Sequence, residues 1–294
     1  MAISKKTSGA AETNLGIGLD AYSPAEIQAK VEVLGVKKAR MPFLACFMLS
    51  IVAGVGIGLG GMFFCVVMSD TSLSFAVQRL LGGLVFSLGL SLVVIGGAEL
   101  FTGNCLIVMA WANRQLNSLD ILRNWSIVWI GNLVGALALV AMVILAHHTS
   151  LNNGAVGTAV LKLAIGKIAP DSTTIFFKGI LCNLLVCLAV WLTYAGRGVA
   201  DKMAGLLLPV SAFVACGFEH CIANMYFLPL AWVLVQTGQV PAGLDVHVIT
   251  LAGIAHNLIP ATLGNIVGGA GFVGLVYWVI YRRSLGGIKP LAGE

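Results

Sequence analysis

A glutamate and an asparagine five residues apart occur twice in this chain, in Glu99-Leu-Phe-Thr-Gly-Asn104 and Glu219-His-Cys-Ile-Ala-Asn224, each inside a long apolar run. A carboxylate in hydrocarbon is expensive, and ionisable groups placed there mark ion or proton pathways. His220 adds an imidazole to the second pair, a group that titrates near neutrality and can pass a proton. Thr102 stands in the matching stretch of the first pair, where its hydroxyl could hold a hydrogen bond to that imidazole. Glu99 and Glu219 read as structural carboxylates capping the amides of a broken helix, with a proton partnership to His220 the alternative for Glu219. Free N–H groups at such half-helix ends suit an anion.

The surroundings of the two pairs repeat as well. Asn124 is followed seven residues later by Gly131-Asn132-Leu-Val-Gly135, and Asn257 at the same offset by Gly264-Asn265-Ile-Val-Gly268. Polar, glycine-interrupted breaks at matching positions of two halves point to a transport site made of discontinuous helices near the bilayer midplane. Six apolar stretches, near 42–68, 80–112, 125–147, 174–195, 204–236 and 257–281, reach the roughly 20 residues a crossing needs. The second and fifth are too long for one straight crossing, and these hold the breaks. Three crossings per half invert the second half, so the breaks approach each other from opposite faces. The expected fold is an all-α membrane protein of six transmembrane helices. Its 41–283 channel domain is an inverted repeat (about 41–147 and 174–283) with broken second and fifth helices.

Composition agrees with the membrane. The chain is 59% hydrophobic and 10% charged, where soluble domains carry about 25% charged residues. The net charge of +5 is a matter of topology, because 13 of the 17 Lys and Arg residues fall in segments that share one face. The positive-inside rule then places both termini in the cytoplasm of a multi-pass inner- or plasma-membrane protein, and nucleic acid is no partner. Residues 1–22 contain no apolar run of a cleavable signal and are expected to be disordered. Ser23-Pro24-Ala25-Glu26 reads as a capping box, followed on one face by Ile27, Val31 and Leu34. The 23–40 segment is thus expected to be an amphipathic interfacial helix ending near Gly35, with Lys37, Lys38 and Arg40 at the headgroups; a pore-gating element is the alternative. Residues 284–294 form a cytoplasmic tail.

Other chemistries find little support. The seven cysteines are odd in number, lie in or beside apolar segments and form no CxxC pair, so they read as small core residues, and neither a metal nor a cofactor is expected. Gly131 with Gly135 and Gly264 with Gly268 read as close helix contacts. An enzyme using His220 with Cys216 or Cys221 lacks a third, orienting group. A neutral-solute channel of aquaporin type would suit broken helices, yet neither break contains Asn-Pro-Ala.

Over about Ser23 to Arg283 the sequence resembles the formate/nitrite transporter family. The resemblance rests on Ala98-Glu-Leu-Phe-Thr-Gly-Asn104, Cys182-Asn-Leu-Leu-Val-Cys-Leu-Ala-Val-Trp191, Gly217-Phe-Glu-His-Cys-Ile-Ala-Asn-Met225 and Asn257-Leu-Ile-Pro through Gly264-Asn-Ile-Val-Gly268. It implies an aquaporin-like fold in a homopentamer with one pore per protomer. It also implies a central pore histidine at His220 with Thr102 as partner, and apolar constrictions at Phe86, Leu90, Leu100, Phe101 and Phe213. Polar motif positions fall on Asn104, Asn183, Asn224 and Asn265, and a vestibule lysine on Lys167, with Lys162 and Lys178 as alternatives.

Such a pore has a physical rationale. A bare anion entering low dielectric costs up to tens of kcal/mol by idealised estimates, whereas protonating a carboxylate of pKa roughly 3.5–4 at pH 7 costs about 4–5 kcal/mol. Neutralisation is the cheaper route, with Lys167 gathering the anion and His220 lending a proton. Phe86-Ser-Leu-Gly-Leu90 and Ile259-Pro260 favour formate; Phe176-Phe-Lys-Gly179 and Thr250-Leu-Ala-Gly253 look like nitrite channels; hydrosulfide and lactate meet the same requirement.

Overall fold

The computed structural model describes residues 21–284, and among them there is no strand. The chain runs through α1 (Pro24–Ala39), α2 (Phe43–Met68), α3 (Phe75–Gly96), α4 (Phe101–Ala112), α5 (Ser118–Leu145), α6 (Ala155–Ile168), α7 (Ser172–Ala195), α8 (Val199–Ala215), α9 (Cys221–Gln236) and α10 (Leu251–Arg283). Five of them, α2, α3, α5, α7 and α10, are long and apolar enough to cross a membrane, while α4 and α9 are shorter apolar helices. The interruptions between α3 and α4 and between α8 and α9 fall where the sequence places its breaks. Large apolar side chains such as Leu44, Leu145, Leu208 and Ile259 are exposed, as on a surface that faces hydrocarbon.

Packing follows the repeat. In the first half α2 lies against α3 and α5, in the second α7 lies against α8 and α10, and α3 meets α8 across the halves. A β-carbon on Gly135 would run into the Ile51 carbonyl, and one on Gly268 into the Ile180 carbonyl. Only hydrogen at these positions allows the backbones to approach so closely.

Two elements differ from expectation. The segment between the third and fourth crossings contains α6, which buries Val156, Val160, Leu161, Ala164 and Ile168. At 14 residues it is too short for a crossing, so a search for spans passes over it. Helix α1 opens with the expected Ser23–Glu26 capping box but continues to Ala39, because Gly35 stays helical where it packs against Ala110 and Ile107 of α4. Ile27 and Val31 are buried in a cluster with Cys105, Met109 and Val190. Glu32 accepts hydrogen bonds from Gln28 and Asn113 and lies 4.0 Å from Arg282 of α10; burial pushes its carboxyl above the usual range, against the pull of Arg282.

The expected 1–22 and 284–294 segments lie outside the described residues except at their inner ends. There Tyr22 donates its N–H to the Ala195 carbonyl at 3.0 Å, and its ring stacks against Lys30 and Arg197.

Gly135→Ala is expected to cost about 1–3 kcal/mol through overpacking and to lower the melting temperature of the detergent-solubilised protein. Gly166→Ala, where a β-carbon meets nothing within 4 Å, is expected to leave it unchanged or raised. Equal effects would mean that helix approach at Gly135 is not limiting.

Candidate functional site

Breaking a helix inside a membrane strands backbone groups that water cannot reach, and both breaks solve this in the same way. The Glu99 N–H donates to the Leu49 carbonyl at 3.2 Å, and the Glu219 N–H to the Lys178 carbonyl at 3.3 Å. Asn132 donates through Nδ2 to the Ser50 and Glu99 carbonyls and accepts from the Phe101 N–H at 3.0 Å. Asn265 donates to the Gly179 and Glu219 carbonyls and accepts from the Cys221 N–H at 2.9 Å. Both asparagines are fully buried. Upstream of each break a glycine with positive φ, Gly97 at 74° and Gly217 at 70°, turns the chain out of its helix.

The carboxylates are held by matching sets. Glu99 takes Lys38 Nζ at 2.7 Å and Asn104 Nδ2 at 2.7 Å. Asn104 Nδ2 reaches Asn124 Oδ1, and Asn124 Nδ2 reaches the Lys38 carbonyl. Glu219 takes Lys167 Nζ at 3.1 Å and Asn224 Nδ2 at 2.7 Å. Asn224 Nδ2 reaches Asn257 Oδ1, and Asn257 Nδ2 reaches the Lys167 carbonyl. Both carboxylates are buried and both lysines mostly so.

Two cavities enter from opposite ends of α2. One, of about 300 Å³, is lined by Met41, Leu34, Lys37, Lys38, Leu90, Glu99, Leu100, Gly103, Asn104 and Tyr194. The other, of about 640 Å³, is lined by Met68, Arg79, Lys162, Lys167, Lys178, Cys216, Glu219 and His220, and ends on Phe86 and Phe213. The lining residues Ala159, Lys162, Leu163, Gly166 and Lys167 recur at three- and four-residue steps, so one face of α6 forms its wall.

Between the cavities the walls close. Phe86 and Leu90, one turn apart on α3, belong one to each side. The Phe86 and Phe213 rings meet edge to face at 5.8 Å, and the Phe213 ring stacks on the His220 imidazole at 5.7 Å. Phe86, Leu90, Leu100, Phe213, Thr102 and His220 are all at most 3% exposed, so no water-wide path is open there.

His220 occupies the N-cap of α9, and its Nδ1 accepts the Ala223 N–H at 3.0 Å. The backbone amide can only donate, so its partner Nδ1 carries no hydrogen and, in a neutral ring, Nε2 does. Nε2 lies 3.0 Å from Thr102 Oγ1, so the N–H donates to the threonine hydroxyl. Asn183 donates to the Thr102 carbonyl at 3.2 Å and to the Asn265 carbonyl at 2.7 Å, joining the two breaks.

Of the expected constriction residues, Phe86, Leu90, Leu100 and Phe213 line the cavities and Phe101 does not. Glu99 and Glu219, expected to cap the broken-helix amides, take among the described residues only lysine and asparagine donors, while Asn132 and His220 accept the amides. Phe101 is buried, its ring edge-on to Trp125 at 6.1 Å, and it lines neither cavity. Sequence reasoning missed the role of Lys38, which it left at the headgroups. Arg79, missed too, donates to the Ala215 and Val214 carbonyls at the end of α8. Asn124, Asn132 and Asn257 were visible as marks of the repeat, and the repeat itself was the signal that could have assigned them.

The formate/nitrite transporter family model matches residues 25–279. The chain belongs to the formate/nitrite transporter family. It is 41% identical to the formate channel FocA of Escherichia coli (strain K12) over 275 residues, covering 90% of this chain and 96% of that one. It is 38% identical to FocA of Haemophilus influenzae over 279 residues, with the same coverage. Among solved structures it is similar to a pentameric formate channel with formate bound (TM-score 0.74, 38% identity, 81% of this chain and 97% of that one). It is also similar to an FNT family ion channel (TM-score 0.76, 31% identity, 87% and 98%). Membership makes the chain an integral membrane protein of a transporter family.

Lys38→Met is expected to strand the buried Glu99 carboxylate, at about 3–5 kcal/mol for removing one partner of a buried pair. Lys38→Met combined with Glu99→Gln should recover most of the lost thermal stability. A double variant no more stable than the single would remove the ion pair from the account of the first break.

Proposed function

We propose that the chain assembles as a homopentamer in the cytoplasmic membrane, both termini in the cytoplasm, and passes formate through a pore in each protomer. The observation that carries this reading is the meeting of two lysine-bearing cavities at one apolar closure that holds the His220–Thr102 pair. Six crossings in two inverted halves accord with this arrangement, the second formed by α3 with α4 and the fifth by α8 with α9. Nitrite, a small anion whose acid is of comparable strength, meets the same ring and is proposed as a second substrate. The cavity walled by α6 then faces away from the cytoplasm, and the Lys38 cavity faces it.

Physics assigns the steps. Lys167 on one side and Lys38 on the other raise the local concentration of a small anion. Phe86, Phe213, Leu90 and Leu100 replace its water, which favours the neutral acid by the difference between a charge-burial cost of tens of kcal/mol and a protonation cost of about 4–5 kcal/mol. His220 and Thr102 supply hydrogen bonds where the surrounding wall has only carbon. For His220 to lend a proton it must first carry two, and the second must displace the Ala223 amide from Nδ1. Losing that cap costs about 0.5–2 kcal/mol, and burial of the positive charge so formed adds to it, so the proton is held only briefly and passes readily to the anion. We therefore read His220 as proton relay as well as donor.

The relay is tested by His220→Asn, which keeps a cap acceptor and a donor amide but cannot carry a proton. In proteoliposomes the variant is expected to lose formate-driven proton movement while the protein stays folded. Undiminished flux with unchanged pH dependence would return His220 to capping and donation only.

Phe213→Ala removes one wall of the closure and should raise formate flux and admit lactate. If lactate is still excluded in a folded variant, selectivity lies elsewhere on the path.

A further inference from the structure

The larger cavity is out of scale with the closure it feeds. Its roughly 640 Å³ lies within the range of about 300–1,000 Å³ that holds drug-sized ligands, far more than a one-carbon anion needs. Its charge is also one-sided. Arg79, Lys162, Lys167 and Lys178 stand against the single carboxylate of Glu219, whereas the opposite cavity sets Lys37 and Lys38 against Glu99.

Two of the four cations are already engaged. Arg79 holds the end of α8, and Lys167 holds Glu219. Among the described residues the ammonium groups of Lys162, exposed on α6, and Lys178, half-buried on α7, donate to no side chain or carbonyl. Much of the remaining wall is apolar, with Phe64, Met68, Phe213 and Phe227. Two available ammonium groups over an aromatic floor match a carbon skeleton that carries two carboxylates.

We propose that this vestibule is a binding site for organic di- and tricarboxylates. Lys162 and Lys178 take the carboxylates, and the rings take the skeleton. Such a ligand does not pass, because the closure admits a monoanion at the cost of one proton and a dianion only at the cost of two. It therefore excludes small anions from that face, a consequence that rests on the transport reading above, whereas the binding itself does not.

The native protein carries a reporter. Cys216 lines the same cavity and is exposed, while the other six cysteines are buried. Purified wild-type protein is treated with the anionic thiol reagent 2-sulfonatoethyl methanethiosulfonate in the presence of isophthalate, or of gluconate at matched ionic strength. Isophthalate is expected to slow labelling severalfold at saturation and gluconate to leave it unchanged. Lys162→Gln and Lys178→Gln should each raise the half-protecting concentration about fivefold, the effect of one solvent-screened charge contact. In proteoliposomes, isophthalate on the α6 face should inhibit formate entry over the same concentration range, and on the other face should not. Unprotected labelling, equal protection by gluconate, or a half-protecting concentration that neither variant moves would overturn the site. Protection without any effect on formate flux would support the site and overturn instead the reading that formate enters through this vestibule.

Discussion

Everything in this structure answers to the cost of leaving a peptide group unpaired where water cannot reach it, several kcal/mol for each. Two helices are interrupted in mid-membrane, and each interruption frees N–H and C=O groups that only protein can satisfy. Asn132 and Asn265 do this with a short side chain that offers a donor pair and an acceptor on the same amide. Each binds two carbonyls and one N–H. The glycines that let α2 meet α5 and α7 meet α10 bring those amides within reach. Close packing and polar satisfaction are thus a single requirement here.

The charges obey a related constraint. A buried carboxylate near each break would be prohibitive alone, and each is matched by a lysine and an asparagine. The lysines remain part of the cavity walls, where Lys37 on one side and Arg79, Lys162 and Lys178 on the other leave each mouth with a surplus of positive charge beyond the neutral pairs. The closure between them is almost wholly carbon, and in the transport reading proposed above the contrast between charged mouth and apolar neck selects a species able to change its charge on the way.

Much of this was legible in the sequence because it was written twice. The matching offsets of Glu99 and Asn104 with Glu219 and Asn224, and of Asn124 and Asn257 with their Gly-Asn pairs, located both breaks, and the Thr102–His220 contact follows from laying the two breaks side by side. What stayed hidden depends on contacts without local spacing. Lys38 is 61 positions from Glu99 and reads as an ordinary headgroup lysine until α1 is folded back onto α4. Phe101 looks like a pore aromatic, yet its ring packs on Trp125 of α5, a contact that no local spacing announces. Helix α6 escaped because its buried positions suit a short helix packed on protein, while the search was for stretches that suit lipid.

The two latches are also self-contained. Asn132 draws on Ser50, Glu99 and Phe101, and Asn265 on Gly179, Glu219 and Cys221, so neither borrows a residue from the other half. In the order of synthesis Asn132, the last residue that the first latch needs, is made with more than half of the chain still to come. The newborn first half therefore need not wait in the bilayer with an unsatisfied break. The contacts that join the halves, Thr102 with His220 and Asn183 with Thr102 among them, come later, with the second half.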